Sequence, residues 1–507
     1  MELFLCLLMN IFIRTFILGI TLLCCVSTSF GQSKNIEIVF SEKTSFFKKP
    51  KPHYQLIDQV HLRHDSTDLY CDSALFFIDE NRFEAFGNVL LERGDSIELI
   101  CQELVYFGNT SLAKATKDVY LRKDTVQLYS QDLNYNIHDA YASYSTKGKV
   151  INVLDTIDSK KAEFHFNKNE MELFDDVYIR NAEIKSWAEY LKYNTETNNL
   201  QLKEAVKITT DSTLMFLDRA TYVHNDQRIY GKGNITAYYQ NYTVLSDSLQ
   251  MQTQDSILWV WDHVYAIDSV EQIEIKSEYG ELHKKTEEGT FIDSVFLRQI
   301  EELDTMYFYA DTLVLDRNEN FTEINAYQDV KIWRDDIQAR ADSIHYNQSN
   351  NNIKLFNNPV AWMNKQQAVA DTLELILKGN ELETIYFLGH AFLINDENKV
   401  QELFSQVKGR VIVSQVVDNK IASTLVNGNA EVLYCVFEDE VFSGINKMNG
   451  VKLKLFFKNN EISKLVYLST IDGKYIPSQD VTKNNRFLEK FKLKDDLRVY
   501  KVDFQVF

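Results

Sequence analysis

The sequence predicts an all-β repeat protein, a quasi-one-dimensional stack of units of about thirty residues. Three observations carry that expectation. First, one short pattern keeps returning: a small or apolar residue, a two-residue polar step, then a β-branched or apolar residue that opens an alternating run. It reads Ala85-Phe86-Gly87-Asn88-Val89, Ala115-Thr116-Lys117-Asp118-Val119, Phe174-Asp175-Asp176-Val177, Leu202-Lys203-Glu204-Ala205-Val206 and Tyr230-Gly231-Lys232-Gly233-Asn234-Ile235. Later copies are Trp261-Asp262-His263-Val264, Ala326-Tyr327-Gln328-Asp329-Val330, Phe356-Asn357-Asn358-Pro359-Val360 and Gly428-Asn429-Ala430, with weaker ones ending at Val150, Val295 and Ala391. Second, 13% of residues are aromatic, mostly Tyr and Phe, which favour strands. Third, the chain holds four prolines in 507 residues, and only Pro359 falls inside the array. Proline cannot donate to a ladder, so a sheet with few edges needs that scarcity.

Taken in order, residues 1–31 hold a basic residue (Arg14), an apolar run from Phe16 to Val26 and small residues at Ser29 and Gly31. This is the form of a secretory signal cleaved before Gln32, with Met9 as an alternative start. A retained anchor is the second reading. A lipid-modified Cys24 is the third, disfavoured by the bulky Leu23 before it. Residues 32–55 are polar and basic and are expected to be a linker. The array is expected over 56–300 and 301–470, with a looser, charged stretch at Lys284–Glu302 as the divide. Residues 471–507 are charged, partly helical in pattern, and expected to cap the open end.

Each unit contains three pieces. After the pivot come alternating runs such as Val119-Tyr120-Leu121, Val177-Tyr178-Ile179 and Val330-Lys331-Ile332. Next comes a strand opening on small or acidic residues, as in Ala341-Asp342-Ser343-Ile344 and Ala370-Asp371-Thr372-Leu373. An Asn/Asp-rich turn then leads into the third, as at Asn198-Asn199-Leu200 and Asn351-Asn352-Ile353. The expectation is two or three strands of about five to seven residues per unit, with neighbours sharing one interior.

Chemistry is hard to find in this sequence. Net charge is −19 with a pI near 5.1, a field that repels nucleic acid. No G-x-S-x-G, H-E-x-x-H or Walker loop occurs, and Gly231-Lys232-Gly233 lacks the third glycine of a dinucleotide loop. Beyond residue 31 only Cys71, Cys101 and Cys435 remain, an odd count without close pairs, so neither a disulfide framework nor a metal site is expected. His61-Leu62-Arg63-His64-Asp65 is the one cluster a metal could use, but on a strand His61 and His64 face opposite sides. No catalytic residue and no cofactor is nominated, and the chain reads as a non-enzyme. The interior remains. Tightly closed sheets make it a core; splayed sheets make it an apolar trough.

The pivot steps and the Ala-Asp-x-Leu/Ile-x-Tyr strands between them, across roughly 56–470, resemble the OstA-like N-terminal domain of the periplasmic lipopolysaccharide-transport proteins of the LptA, LptC and LptD group. The tail pattern Asp472-Gly473-Lys474-Tyr475-Ile476-Pro477 resembles the larger OstA-like proteins of Bacteroidetes-type bacteria. The resemblance implies an elongated antiparallel β-jelly-roll, or β-taco, whose apolar groove shields lipid A acyl chains on the way to the outer membrane. It also implies a periplasmic location, possible self-association, and end-to-end strand addition with other OstA-type domains. The array is about twice that of a single bridge domain, and it lacks the barrel of the translocon subunit. Groove candidates are Val89, Leu91, Val119, Leu121, Val177, Ile179, Val206, Ile208, Val330 and Ile332, acting by apolar contact. Two rivals stand beside this expectation. One is a structural β-solenoid or adhesin with a filled core; the other is a parallel β-helix enzyme, which needs an acidic cluster on one face.

Overall fold

Most pivots bend strands instead of ending them; at the Phe356–Val360 copy the strand is split into Asn352–Phe356 and Val360–Met363. In a computed structural model, which describes residues 35–504 apart from 271, 301–304, 319–320, 348, 380, 419, 459–460 and 469, most strands of the array run ten to fourteen residues. Leu112–Lys123 is typical at twelve residues. Its ladder with Val126–Asn136 shifts register between Thr116 and Val119. The same shift falls at other pivots, between Phe86 and Val89, Phe174 and Val177, and Lys232 and Ile235.

The cause is local backbone geometry. The two residues before the pivot both take left-handed φ: +74° and +44° at Gly87 and Asn88, +67° and +52° at Lys117 and Asp118, +61° and +53° at Asp175 and Asp176. A doubled left-handed step makes a bulge, and a bulge bends its strand. Buried side chains on both arms, such as Ala113 and Ala115 before the bend and Val119 and Leu121 after it, therefore share one interior. The strand folds over its own apolar face. This is the antiparallel β-jelly-roll, built from long cornered strands in place of the two or three short ones expected.

Left-handed backbone costs roughly 1–2 kcal/mol at a non-glycine residue, so something must hold it. That role falls to the acidic residue of the Ala-Asp-x-Leu strand alongside. Asp72 accepts a hydrogen bond from Asn88 Nδ2 at 3.0 Å, Asp218 from Asn234 at 2.9 Å and Asp342 from Asn357 at 2.9 Å. Asp371 bonds the His390 ring at 2.9 Å and Asp247 the His263 ring at 2.8 Å. The weak copy ending at Val150 shows the same device in another form. Its strand breaks after Tyr144, and Asp132 accepts from the backbone N–H groups of Ser145 and Thr146 at 3.2 and 3.0 Å. Burial would raise the Asp132 carboxyl, but these bonds outweigh it and hold it below the usual range.

The described chain forms two compact units, divided within residues 153–169. In the first, strands from His53–His64 to Val126–Asn136 pair in chain order as a meander. Residues expected as a linker instead supply Glu37–Phe40 and Lys43–Phe47, one on each arm of His53–His64. The second unit opens with Asp155–Ser159 and runs through Val441–Lys458, where Glu461–Tyr467 and Ile471–Pro477 pair one to each arm. Its ladder continues through Ile300↔Thr305, so no boundary falls at the charged stretch. Among the described residues no helix is long and apolar enough to cross a membrane. Residues 1–31, expected to be a signal segment, lie outside the described residues.

The tail differs from the expected end cap. After Pro477 it is extended with short 3-10 turns and lies as a strap across the outer face of the second unit. Outward-facing Phe392, Ile394 and Phe404 are buried because Phe487, Leu488 and Phe491 cover them. Further along, Val499 and Phe504 pack on Phe296. Two glutamines clamp the strap's backbone. Gln406 donates to Arg486 O at 2.9 Å and accepts from Leu488 N at 2.7 Å, while Gln367 donates to Lys492 O at 2.9 Å and accepts from Lys494 N at 2.7 Å.

The corner account makes one quantitative prediction. Gly233 sits at φ +80°, and a Cβ there would lie 2.4 Å from Asp218 Oδ2. Gly233→Ala should cost about 1–2 kcal/mol in urea denaturation. Part of that cost should return in an Asp218→Ala background, where the clash is gone. Strict additivity of the two would mean the carboxylate does not hold the corner.

Candidate functional site

Because each strand folds at its corner, its two ends come to the same side, and the hairpin turns form two rims around a mouth. Polar side chains lace the rims together. In the first unit the His64 ring bonds the Tyr106 hydroxyl at 2.8 Å, and Arg93 donates to Ile137 O at 3.3 Å. His61 points the other way, to Asp68 at 2.7 Å and onto Tyr70, so the two histidines do face opposite sides. In the second unit Tyr193 donates to Asp155 Oδ2 at 2.9 Å. Burial pushes the Asp155 carboxyl up, against the bonds from Asn181 and Tyr193. Glu183 accepts from Gln227 at 2.8 Å, Thr253 at 2.7 Å and Tyr222 at 3.2 Å, three donors from the opposite rim. The last lace is Lys284, whose ammonium reaches across to the Thr213 hydroxyl.

Behind the laces lies an interior of carbon. All ten sequence-nominated side chains are there, from fully buried Val89, Ile179, Ile208 and Val330 to Ile332 at 8% exposure. Val119, Leu121, Val177, Val206 and Leu91 are 1–2% exposed. In each unit they lie on one wall, the arm after the corner: Val89, Leu91, Val119 and Leu121 in the first, the other six in the second. The facing wall, with Ala85, Ala113, Leu173, Leu202 and Phe291, was not nominated, because the pivot pattern marks only the residues that follow it. Beside Leu91 lies a void of about 10 Å³.

A cavity of about 130 Å³ lies elsewhere in the second unit and touches none of the ten. Its origin is readable. The second residue after the pivot is Leu91, Leu121, Ile179 and Ile208 in successive strong copies, then Ala237 and Ala266, then Leu297 and Ile332. Two consecutive alanines leave the space, and Val244, Leu258, Ile275, Phe291, Leu315 and Ile324 line the rest. A cavity of this size, walled by carbon, accepts a small hydrocarbon group.

One edge of this cavity is charged. Lys284 is 8% exposed, its Nζ near Thr213, 3.8 Å from Met251 Sδ and 5.3 Å from the Tyr239 ring centre. Desolvation pulls its pKa down to about 8. His283, Asp268, Glu287 and Glu288 also line the cavity, the two glutamates exposed to solvent. Among the described residues no group of His, Cys, Asp and Glu is arranged to hold a metal ion.

Residues 33–185 match the family model of OstA-like protein, and residues 274–381 match that of the LptA/(LptD N-terminal domain) LPS transport protein. The chain carries OstA-like domains. Among solved structures, LptH, the LptA-homologous periplasmic component of the lipopolysaccharide transport device from Pseudomonas aeruginosa, is similar at 14% identity and TM-score 0.21. That match covers 28% of this chain and 95% of the other. The WD40 domain of SCAP from fission yeast is similar at 10% identity and TM-score 0.11, over 88% and 90%. Neither superposition is close enough to carry an argument. No curated protein matches the sequence.

The buried lysine gives a pH prediction. Between pH 8 and about 10.5 the unfolded chain binds the Lys284 proton and the folded chain does not, so this residue makes stability rise with pH across that window. Lys284→Met should therefore be more stable than the parent at pH 7, by up to about 3 kcal/mol. The gap should close as pH climbs toward 10.5, which urea denaturation at several pH values reads directly. A variant less stable at every pH would mean the Thr213 bond outweighs desolvation.

Proposed function

We propose that this OstA-like chain is a non-enzymatic carrier or bridge that moves lipopolysaccharide through the periplasm toward the outer membrane, holding acyl chains in its apolar interior. The observation that carries the reading is the carbon-lined cavity behind a mouth closed only by side-chain hydrogen bonds. Such bonds contribute about 1 kcal/mol each, so parting a few of them is affordable to a ligand that buries hydrocarbon. The two family matches, one in each half of the chain, support the same role. Ala237 and Ala266 mark the point of entry into the second unit, where Val177, Ile179, Val206, Ile208, Val330 and Ile332 are the wall along which acyl chains extend; Val89, Leu91, Val119 and Leu121 serve the same role within the first unit. Partners of the same fold add strands at the ends: Glu37–Phe40, with Ile38, Val39 and Phe40 exposed, offers an apolar ladder edge. Export through the N-terminal segment puts the chain in the periplasm.

A second reading has its own observation. The ten nominated residues are all buried, as a structural solenoid with a closed core requires.

Photo-crosslinking separates the two. With a photoreactive residue at Leu258, Phe291 or Ile332, lipopolysaccharide adducts should form, and at outward-facing Tyr178 they should not. Ala266→Leu, which fills the cavity, should reduce the Leu258 adduct severalfold. A folded protein with no adduct at any inward site would favour the closed core.

A further inference from the structure

The cavity's charged edge says more than its apolar wall does. A lysine this buried ordinarily has a carboxylate partner, because an ammonium without one loses hydration and regains little. Among the described residues Lys284 has none in ion-pair contact. Its nearest groups are a hydroxyl, a thioether and an aromatic ring, which give a strong acceptor to only one of its three N–H donors. The acidic groups nearby are otherwise placed. Asp268 Oδ1 accepts from Val270 N at 2.9 Å, and Glu287 and Glu288 stand in solvent at the mouth.

Resting on the carrier reading above, we infer that this cavity binds an amphiphile bearing a single anionic group, with its hydrocarbon end beside Ala237 and Ala266 and its charge on the Lys284 ammonium. Each part of the site has a role. The paired alanines supply the length of the apolar slot, and Lys284 at its edge fixes how far the chain enters. Thr213 holds the ammonium in place and offers its hydroxyl to the same anion. Asp268, Glu287 and Glu288 set the limit on charge, since a second negative group on the ligand would lie among three carboxylates. The site thus prefers a monoanion to a neutral lipid and to a dianion. A free fatty acid's carboxylate and a phosphate diester on a lipid head group share that chemistry.

Displacement of the neutral fluorescent probe N-phenyl-1-naphthylamine from the full chain tests this, with dodecanoate, dodecanol, dodecyl phosphate and purified lipopolysaccharide as competitors at pH 7. Dodecanoate should displace the probe at about tenfold lower concentration than dodecanol, a charge-assisted margin. In Lys284→Met, with folding checked by circular dichroism, the two should compete equally. Ala266→Leu should weaken both together. Dodecyl phosphate, largely dianionic at pH 7, should compete less well than dodecanoate. Displacement by lipopolysaccharide at low concentration assigns the anion to a head group; its failure beside strong dodecanoate competition assigns it to a free fatty acid. A preference for dodecanoate that survives in Lys284→Met overturns the inference, as does equal competition by acid and alcohol in the parent. In either case adducts at Leu258 would leave the carrier reading standing. No probe binding and no adduct would end both.

Discussion

Everything in this structure depends on a strand being able to turn a corner without leaving its ladder. Two successive left-handed residues do that, and the acid of the adjoining strand holds the bend. Without the corner, each long antiparallel strand would present one apolar face to water, and the array would be a flat sheet with an aggregation-prone surface. With it, the same alternation encloses an interior. Glycine serves at Gly87, Gly233 and Gly389, where the carboxylate beneath leaves no room for a Cβ. Elsewhere Lys117-Asp118 or Glu204-Ala205 does the same work, so the device rests on the pair and its acid, not on glycine alone.

Much of this was legible before any coordinates. The pivot's position, the alternating run after it and the recurrence of Asp in the intervening strand are all in the sequence. Their relation was not, because nothing in a linear pattern says that Asp72 and Asn88, sixteen residues apart, meet. Strand length was misread for a related reason: a polar dipeptide such as Asp175-Asp176 resembles a turn, and only its left-handed conformation with ladder on both sides makes it a bulge. The leading segment looked like a linker because Lys48-Lys49-Pro50-Lys51-Pro52 dominates its composition, although Ile38, Phe40, Phe46 and Phe47 beside it carry strands.

The site was half legible. Residues after the pivot were nominated because they alternate, and they do line one wall. The cavity lies instead where that pattern weakens, at Ala237 and Ala266, and a search for large apolar residues passes over it. Lys284 was visible only as part of a charged stretch. Its isolation follows from tertiary placement against Thr213, Met251 and Tyr239, residues 33 to 71 positions away in the chain. The outward strap was likewise hidden, since Phe392 and Phe404 look like core residues in any one-dimensional reading.

The mechanism as a whole requires the rims to part. Introducing cysteines at Tyr239 and Lys285, on opposite rims beside the cavity, allows a short bismaleimide to hold the mouth shut. The crosslinked chain should lose lipopolysaccharide binding that the same variant shows before crosslinking and that each singly modified variant retains. Undiminished binding by the crosslinked chain would contradict the account, because acyl chains would then reach the interior by some route other than the mouth, or not enter it at all.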